Sequence, residues 1–131
     1  MKMSPKILIV EDEAMVALDL EAWLEEFGYA PVGIAPDAAT AFRLAEEEPI
    51  LALVDLNLRD GLSGPEIGRR LATEYGVRVV FMTANPRLLE PGVPGTLGVL
   101  PKPYEPETVK AAIEFALDRS HVAPAELRLF A

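Results

Sequence analysis

The stretch KILIVEDEAMVALDLEAWLEEFG, residues 6–28, holds one full period of the architecture. Its apolar run Ile7–Val10 has the length and β-branched content of a buried strand. The run stops at Glu11-Asp12-Glu13, and there the periodicity changes. Val16, Leu20, Trp23, Leu24 and Phe27 fall on one helical face, and Gly28 stands where a helix would stop. A strand, an acidic turn and an amphipathic helix make a βα unit.

The unit recurs along the chain. Val32–Ala35, Ile50–Val54, Val77–Met82 and Thr96–Leu100 read as further buried strands. Asp37 is placed to cap a second helix running through Leu44 to Glu46–Glu48, and Pro49 forbids its continuation. Ser63 and Glu66 have the spacing of a capping box, with Pro65 in the first turn. Ile67, Leu71 and Ala72 would face the sheet, and Gly76 would end that helix. A last helix begins near Pro106, with Val109, Ile113, Ala116 and Leu117 on one stripe. Five strands alternating with helices predict an α/β fold, a right-handed, doubly wound parallel sheet.

One connection departs from the rule. The segment from Ala84 to Gly95 should hold a crossover helix, but Pro91, Gly92, Pro94 and Gly95 forbid one of normal length. Pro86 can open a single turn through Glu90, so a short or irregular fourth helix is expected. Six of the twelve prolines lie from Pro86 to Pro106. Pro101 is expected to be tolerated because its strand would lie at a sheet edge, where an amide donor is dispensable.

Composition excludes several function classes. The 131 residues suit one domain, and 50% are apolar, too many for a linker. Twenty-one acids against twelve bases give a net charge of −9, which argues against nucleic-acid binding and against docking on an anionic membrane. There is no cysteine and one histidine, so disulfides, thiol catalysis and the usual zinc sites are excluded. Met1–Lys6 carries no apolar signal region and no run approaches the ~18 residues of a membrane span, so the expected location is cytoplasmic.

Parallel open sheets bind ligands at the carboxyl ends of their strands. Those ends read Glu11-Asp12, Asp55-Leu56-Asn57, Thr83-Ala84 and Lys102-Pro103. Acids before a helix also favour its dipole, so the acidic trio alone says little. Thr83 and Lys102 ending the next two strands make a joint pattern. Glu11, Asp12 and Asp55 repel one another, and Lys102 supplies one positive charge against three. A hard divalent cation such as Mg²⁺ would complete the balance, and an ionised aspartate beside it can attack phosphorus without a base. Thr83 and Lys102 would then hold the remaining phosphoryl oxygens.

This set resembles the receiver domain of two-component response regulators, over residues from about 6 to 119. The resemblance implies a flavodoxin-like (β/α)5 fold with strand order 2-1-3-4-5. It makes Asp55 the phosphoacceptor and Asp12 a direct Mg²⁺ ligand. Glu11 would act through metal-bound water, and Asn57 would offer its backbone carbonyl. Thr83 and Lys102 take the phosphoryl-binding roles, and Lys102–Pro103 is the candidate cis peptide. The implied partners are a sensor histidine kinase or histidine phosphotransfer protein and an unknown downstream protein, with neither nucleic acid nor membrane, and a monomer or homodimer as the assembly. Residues 1–120 would form the receiver and 121–131 a C-terminal tail. The expected activity is phosphoryl acceptance with slow autodephosphorylation, not a metabolic reaction.

Departures define a subgroup. Receivers usually carry Tyr or Phe three residues before the lysine as a rotameric switch; here that position is Val99. Tyr104 resembles a packing aromatic more than the switch. The interval from Thr83 to Lys102 is shorter than usual by about one helical turn. Arg59-Asp60-Gly61 stands where many receivers have proline, in a longer loop. These features, with the Thr83–Leu89 run, are similar to stand-alone receivers and to the receiver part of general-stress-response regulators.

Two alternatives have their own signatures. A pseudo-receiver, acting as a binding module without phosphorylation, would not need a complete acceptor set. A haloacid-dehalogenase-type hydrolase needs a second aspartate two residues after the first, and that position is Asn57. Gly61-Leu-Ser-Gly64 lacks the fifth-position glycine of a nucleophile elbow, and His121 lies in the tail, so a serine hydrolase is excluded too. Trp23 and Phe27 are read as core. The apolar tail Ala123–Ala131 is expected to fold back on its own domain.

Overall fold

The computed structural model describes residues 4–130. Its elements are β1 (Lys6–Val10), α1 (Ala14–Glu26), β2 (Ala30–Ala35), α2 (Ala38–Ala45), β3 (Leu51–Val54), α3 (Gly64–Tyr75), β4 (Arg78–Thr83), β5 (Gly98–Pro101), α4 (Pro106–Leu117) and β6 (Arg128–Leu129). A single 3-10 turn, Pro86–Leu89, stands between β4 and β5. The sheet order is β2-β1-β3-β4-β5-β6; the first five strands are parallel and β6 is antiparallel. This is the doubly wound 2-1-3-4-5 sheet with one added strand.

Alternation along the strands sorts the core into two layers. Ile7, Ile9, Leu53, Val80 and Met82 pack toward α1 and α4 with Leu20, Leu24 and Ile113. Leu8, Val10, Val54, Val79, Phe81 and Val99 pack on the other face with Ile67 and Leu71. Trp23 and Phe27 belong to the first layer, as their spacing predicts. His121 is exposed. Lys102–Pro103 is cis, as is Glu90–Pro91.

Helix ends follow local chemistry. Asp37 accepts from the Thr40 amide at 2.9 Å, satisfying a donor that α2 would leave orphaned. Gly28 and Gly76 take positive φ just past α1 and α3. The capping box at Ser63 does not form. Ser63 has helical backbone angles and makes no side-chain cap, its hydroxyl donating instead to Asp60. Glu66 is turned away toward Arg69, with contacts of 2.6 and 2.7 Å. Asp60 wins because the loop after β3 closes on itself through Leu58 and Gly61. It also accepts from the Ala38 amide at 3.1 Å. The loop after β3 is thus tied, through Asp60, to the start of α2.

The segment from Ala84 to Gly95 holds only the 3-10 turn, and Leu89 anchors it in the core. Beyond α4 the chain folds back, as expected of an apolar tail, although Ala131 lies outside the described residues. One expectation changes: β5 is not the sheet edge. Arg128 pairs with Val99 and Leu129 with Gly98, and the Phe130 amide donates to the Leu97 carbonyl at 3.0 Å. Pro101 is accommodated because β6 stops before reaching it. Gly98 permits this approach, since a Cβ there would overlap the Arg128 carbonyl oxygen. Gly98→Ala is expected to loosen β6 at a cost of about 1–2 kcal/mol. Hydrogen exchange of the Phe130 amide should accelerate, while amides of β1 and β3 keep their protection.

Candidate functional site

The carboxyl ends of β1, β3, β4 and β5 converge on one rim. Asp12, Asp55, Asn57, Thr83 and Lys102 line a cavity of about 320 Å³, together with Glu13, Ala84 and Asn85. Glu11 lies behind it, 3% exposed. All six residues predicted from the strand ends therefore meet in one place.

Parallel pairing explains the convergence. Val10 is in register with Ala35 on one side and Val54 on the other, so Glu11 and Asp55 leave the sheet at the same level. Thr83 pairs with Pro101, which puts Lys102 one residue beyond the threonine, and the Lys102 amide donates to the Thr83 carbonyl at 2.9 Å.

Four of the six side chains, those of Glu11, Asp55, Thr83 and Lys102, have defined partners. The Asp55 Oδ1 accepts from the Leu56 amide at 2.8 Å, which leaves Oδ2 facing Lys102 Nζ at 3.4 Å. The same ammonium donates to Glu11 Oε1 at 3.1 Å. Glu11 Oε2 accepts from the Glu13 amide at 3.2 Å. Thr83 Oγ1 accepts from the Asn85 amide at 3.0 Å. The last contact ties the hydroxyl to the start of the proline-rich segment.

Charge is unbalanced, as the sequence implies. Burial and the neighbouring Asp55 charge raise the Glu11 pKa, outweighing the ammonium of Lys102. Burial works against charge on Lys102, yet the carboxylates of Glu11 and Asp55 win, and its pKa is raised. Oxygens of Glu11, Asp12 and Asp55 lie within 4.8 Å of one another. Three hard oxygen donors facing one ammonium fit a hard divalent cation, and Asp12, exposed at the rim, is open to one.

A carboxyl whose folded pKa is raised adds stability below its unfolded pKa and loses it as pH climbs through the folded value. Glu11 therefore penalises the metal-free fold toward neutral pH. Glu11→Gln should raise the melting temperature at pH 7 in chelator, and the gain should vanish near pH 4. A lower melting temperature for the variant at pH 7 would contradict this.

Several contributors were not legible in the residue pattern. The Leu56 and Asn85 amides act through backbone, which any residue type supplies. Gly64 lies where α3 crosses over β3, and a Cβ there would overlap the Asp55 carbonyl oxygen and the Leu56 backbone. Tyr104 packs edge-on against Trp23, with ring centroids 6.2 Å apart, and its hydroxyl is buried without a hydrogen-bond partner among the described residues. Burial first, then the Glu11 and Asp55 charges, push its pKa well above the ordinary tyrosine range. It is a packing aromatic.

Comparison with known proteins gives a consistent picture. Residues 7–114 match the family described as response regulator receiver domain. The phyllosphere-induced regulator PhyR of Methylorubrum extorquens is 39% identical over 118 residues, 88% of this chain and 44% of that protein. The solution structure of the Erythrobacter litoralis PhyR receiver domain superposes with a TM-score of 0.79 at 30% identity, covering 94% of this chain and 96% of that one. The anti-anti-sigma factor PhyR of Bartonella quintana gives a TM-score of 0.77 at 32% identity, covering 91% of this chain and 49% of that one. This chain spans about half the length of the curated relatives it matches.

Proposed function

This chain belongs to the response regulator receiver family, and on that premise we propose that it accepts a phosphoryl group on Asp55 and passes the signal on by protein–protein contact. The observation that carries the reading is the joint arrangement of Asp55, Thr83 and Lys102 around one cavity with the acidic trio. The donor would be a sensor histidine kinase or a histidine phosphotransfer protein, and the receiver of the signal a downstream protein. Glu11, Asp12, Asp55 and the Asn57 backbone carbonyl would hold Mg²⁺, which when bound neutralises charge on the phosphoryl oxygens.

The chain's own residues do the rest. With Oδ1 engaged by Leu56, Asp55 Oδ2 forms the new bond to phosphorus. The phosphorus–nitrogen bond of the donor breaks, and its electron pair stays with the imidazole nitrogen. Lys102 moves from its bridge between Glu11 and Asp55 to a phosphoryl oxygen. The Thr83 hydroxyl releases the Asn85 amide and donates to another. Water later cleaves the acyl phosphate slowly. Residues 1–120 would serve as the receiver body and 121–131 as an appended tail, in a cytoplasmic monomer or homodimer.

The test is intact mass. After incubation with a small phosphodonor and Mg²⁺, the chain should gain one phosphoryl group, and a chelator should prevent the gain. No mass gain with Mg²⁺ present would overturn the reading in favour of an unphosphorylated binding module.

A further inference from the structure

Beside the acceptor cavity, and sharing only Ala84 and Asn85 with it, lies a face formed by the 3-10 turn and β6. These two elements frame adjoining grooves of about 570 and 310 Å³ that share Pro86 and Arg128. Arg87 lines the larger groove, while Glu90 is the one carboxylate lining the smaller. Leu88 is 54% exposed and Leu129 49%. Ion pairs among the described residues engage Arg69, Arg70 and Lys102, but neither Arg87 nor Arg128.

Two unpaired guanidinium groups beside two exposed leucines run against the character of a chain with net charge −9. The arrangement is also held in place. Arg128 is fixed on the ladder opposite Val99, with Leu127 buried before it. Phe130 after it packs 6.4 Å from Phe81. A cation fixed by its backbone loses less freedom on binding than one on a mobile tail. Guanidinium groups pair best with carboxylates, and the leucines call for apolar company.

We propose that this face docks an acidic, leucine-bearing segment of a partner protein, held by Arg87 and Arg128 and by apolar contact with Leu88 and Leu129. Nucleic acid would meet the repulsion of the whole chain, whereas a short acidic segment meets the local field of the two arginines. Asn85, whose amide is tied to Thr83, lines the same groove. On the acceptor reading, Thr83 movement would therefore reshape the groove, but docking itself does not depend on phosphorylation.

The experiment uses the unphosphorylated chain, so failure of Asp55 phosphorylation leaves it readable. The probe is a fluorescein-labelled helical peptide with leucines on one face, flanked by glutamates. Saturable anisotropy is expected, with nitrogen–proton shifts confined to residues 84–90 and 127–130. Arg87→Glu and Arg128→Glu should each weaken binding about tenfold, the loss of one charge-assisted contact. Arg128→Lys should retain most of it. Arg87→Glu lies on the turn and leaves β6 untouched, so it remains informative if Arg128→Glu perturbs the strand. The proposal is overturned if the arginine reversals leave affinity unchanged, or if a peptide with lysines for glutamates binds equally. Shifts elsewhere would overturn it too, as would tighter arginine-dependent binding of single-stranded DNA. Arginine-dependent self-association without peptide binding would assign the face to a second copy instead.

Discussion

Asp55→Asn is expected to abolish phosphoryl uptake, reducing the mass gain from one phosphoryl group per chain to none. Oδ1 of Asp55 is already engaged by the Leu56 amide, so on the acceptor reading Oδ2, which faces Lys102, would be the nucleophile. An amide in its place offers a weakly nucleophilic oxygen and a nitrogen whose lone pair is delocalised. Backbone placement should survive, because the Asp55 amide donates to the Val10 carbonyl at 2.9 Å whatever the side chain. The variant should therefore melt cooperatively while remaining unlabelled. The neighbour that could substitute is Asp12, exposed on the same rim. Peptide mapping that found label on Asp12 in the wild-type chain would move the acceptor from β3 to β1.

Gly64→Ala should produce the largest loss of stability of any single methyl addition, about 3 kcal/mol. The added carbon would overlap the Asp55 carbonyl oxygen and press on Leu56 Cα and its carbonyl oxygen. All three are backbone, so no rotamer change relieves the clash. Alanine's helix preference returns at most about 1 kcal/mol and cannot compensate. Gly68→Ala on the same helix meets the Phe81 ring instead. A ring can tilt, so that variant should be less damaged. Urea denaturation with unchanged m-values would rank the two. Equal midpoints for Gly64→Ala and wild type would show that α3 is free to slide away from the end of β3, contrary to its contacts.

The fold was legible because most βα units carry their own signals, a β-branched run and an apolar stripe of helical period, and the one that lacks the stripe shows prolines and glycines in its place. The candidate site was legible for the same reason, since parallel register brings strand ends together without further information. Besides the backbone contributors to the site, two features of the fold escaped. The Ser63–Glu66 spacing is a local pattern, and a non-local acceptor, Asp60, took the serine hydroxyl because the loop after β3 turns back on itself. Strand β6 is two residues long and follows a turn-rich stretch, so no periodicity marks it. Its trace in the sequence is Gly98, a residue without a side chain in an otherwise apolar run. That glycine becomes meaningful only once a neighbouring strand is seen pressed against it.

The added strand also matters at the scale of many molecules. A sheet that ends on an unpaired apolar strand offers a template onto which another chain can stack, and from there to insoluble assemblies. Leu97, Gly98 and Val99 would be such a template. Two residues of β6 use up that hydrogen-bonding row, and the new margin is too short and, at Arg128, too charged to be extended. Among the described residues, the sheet thereby ends on a margin that is short and charged instead of long and apolar.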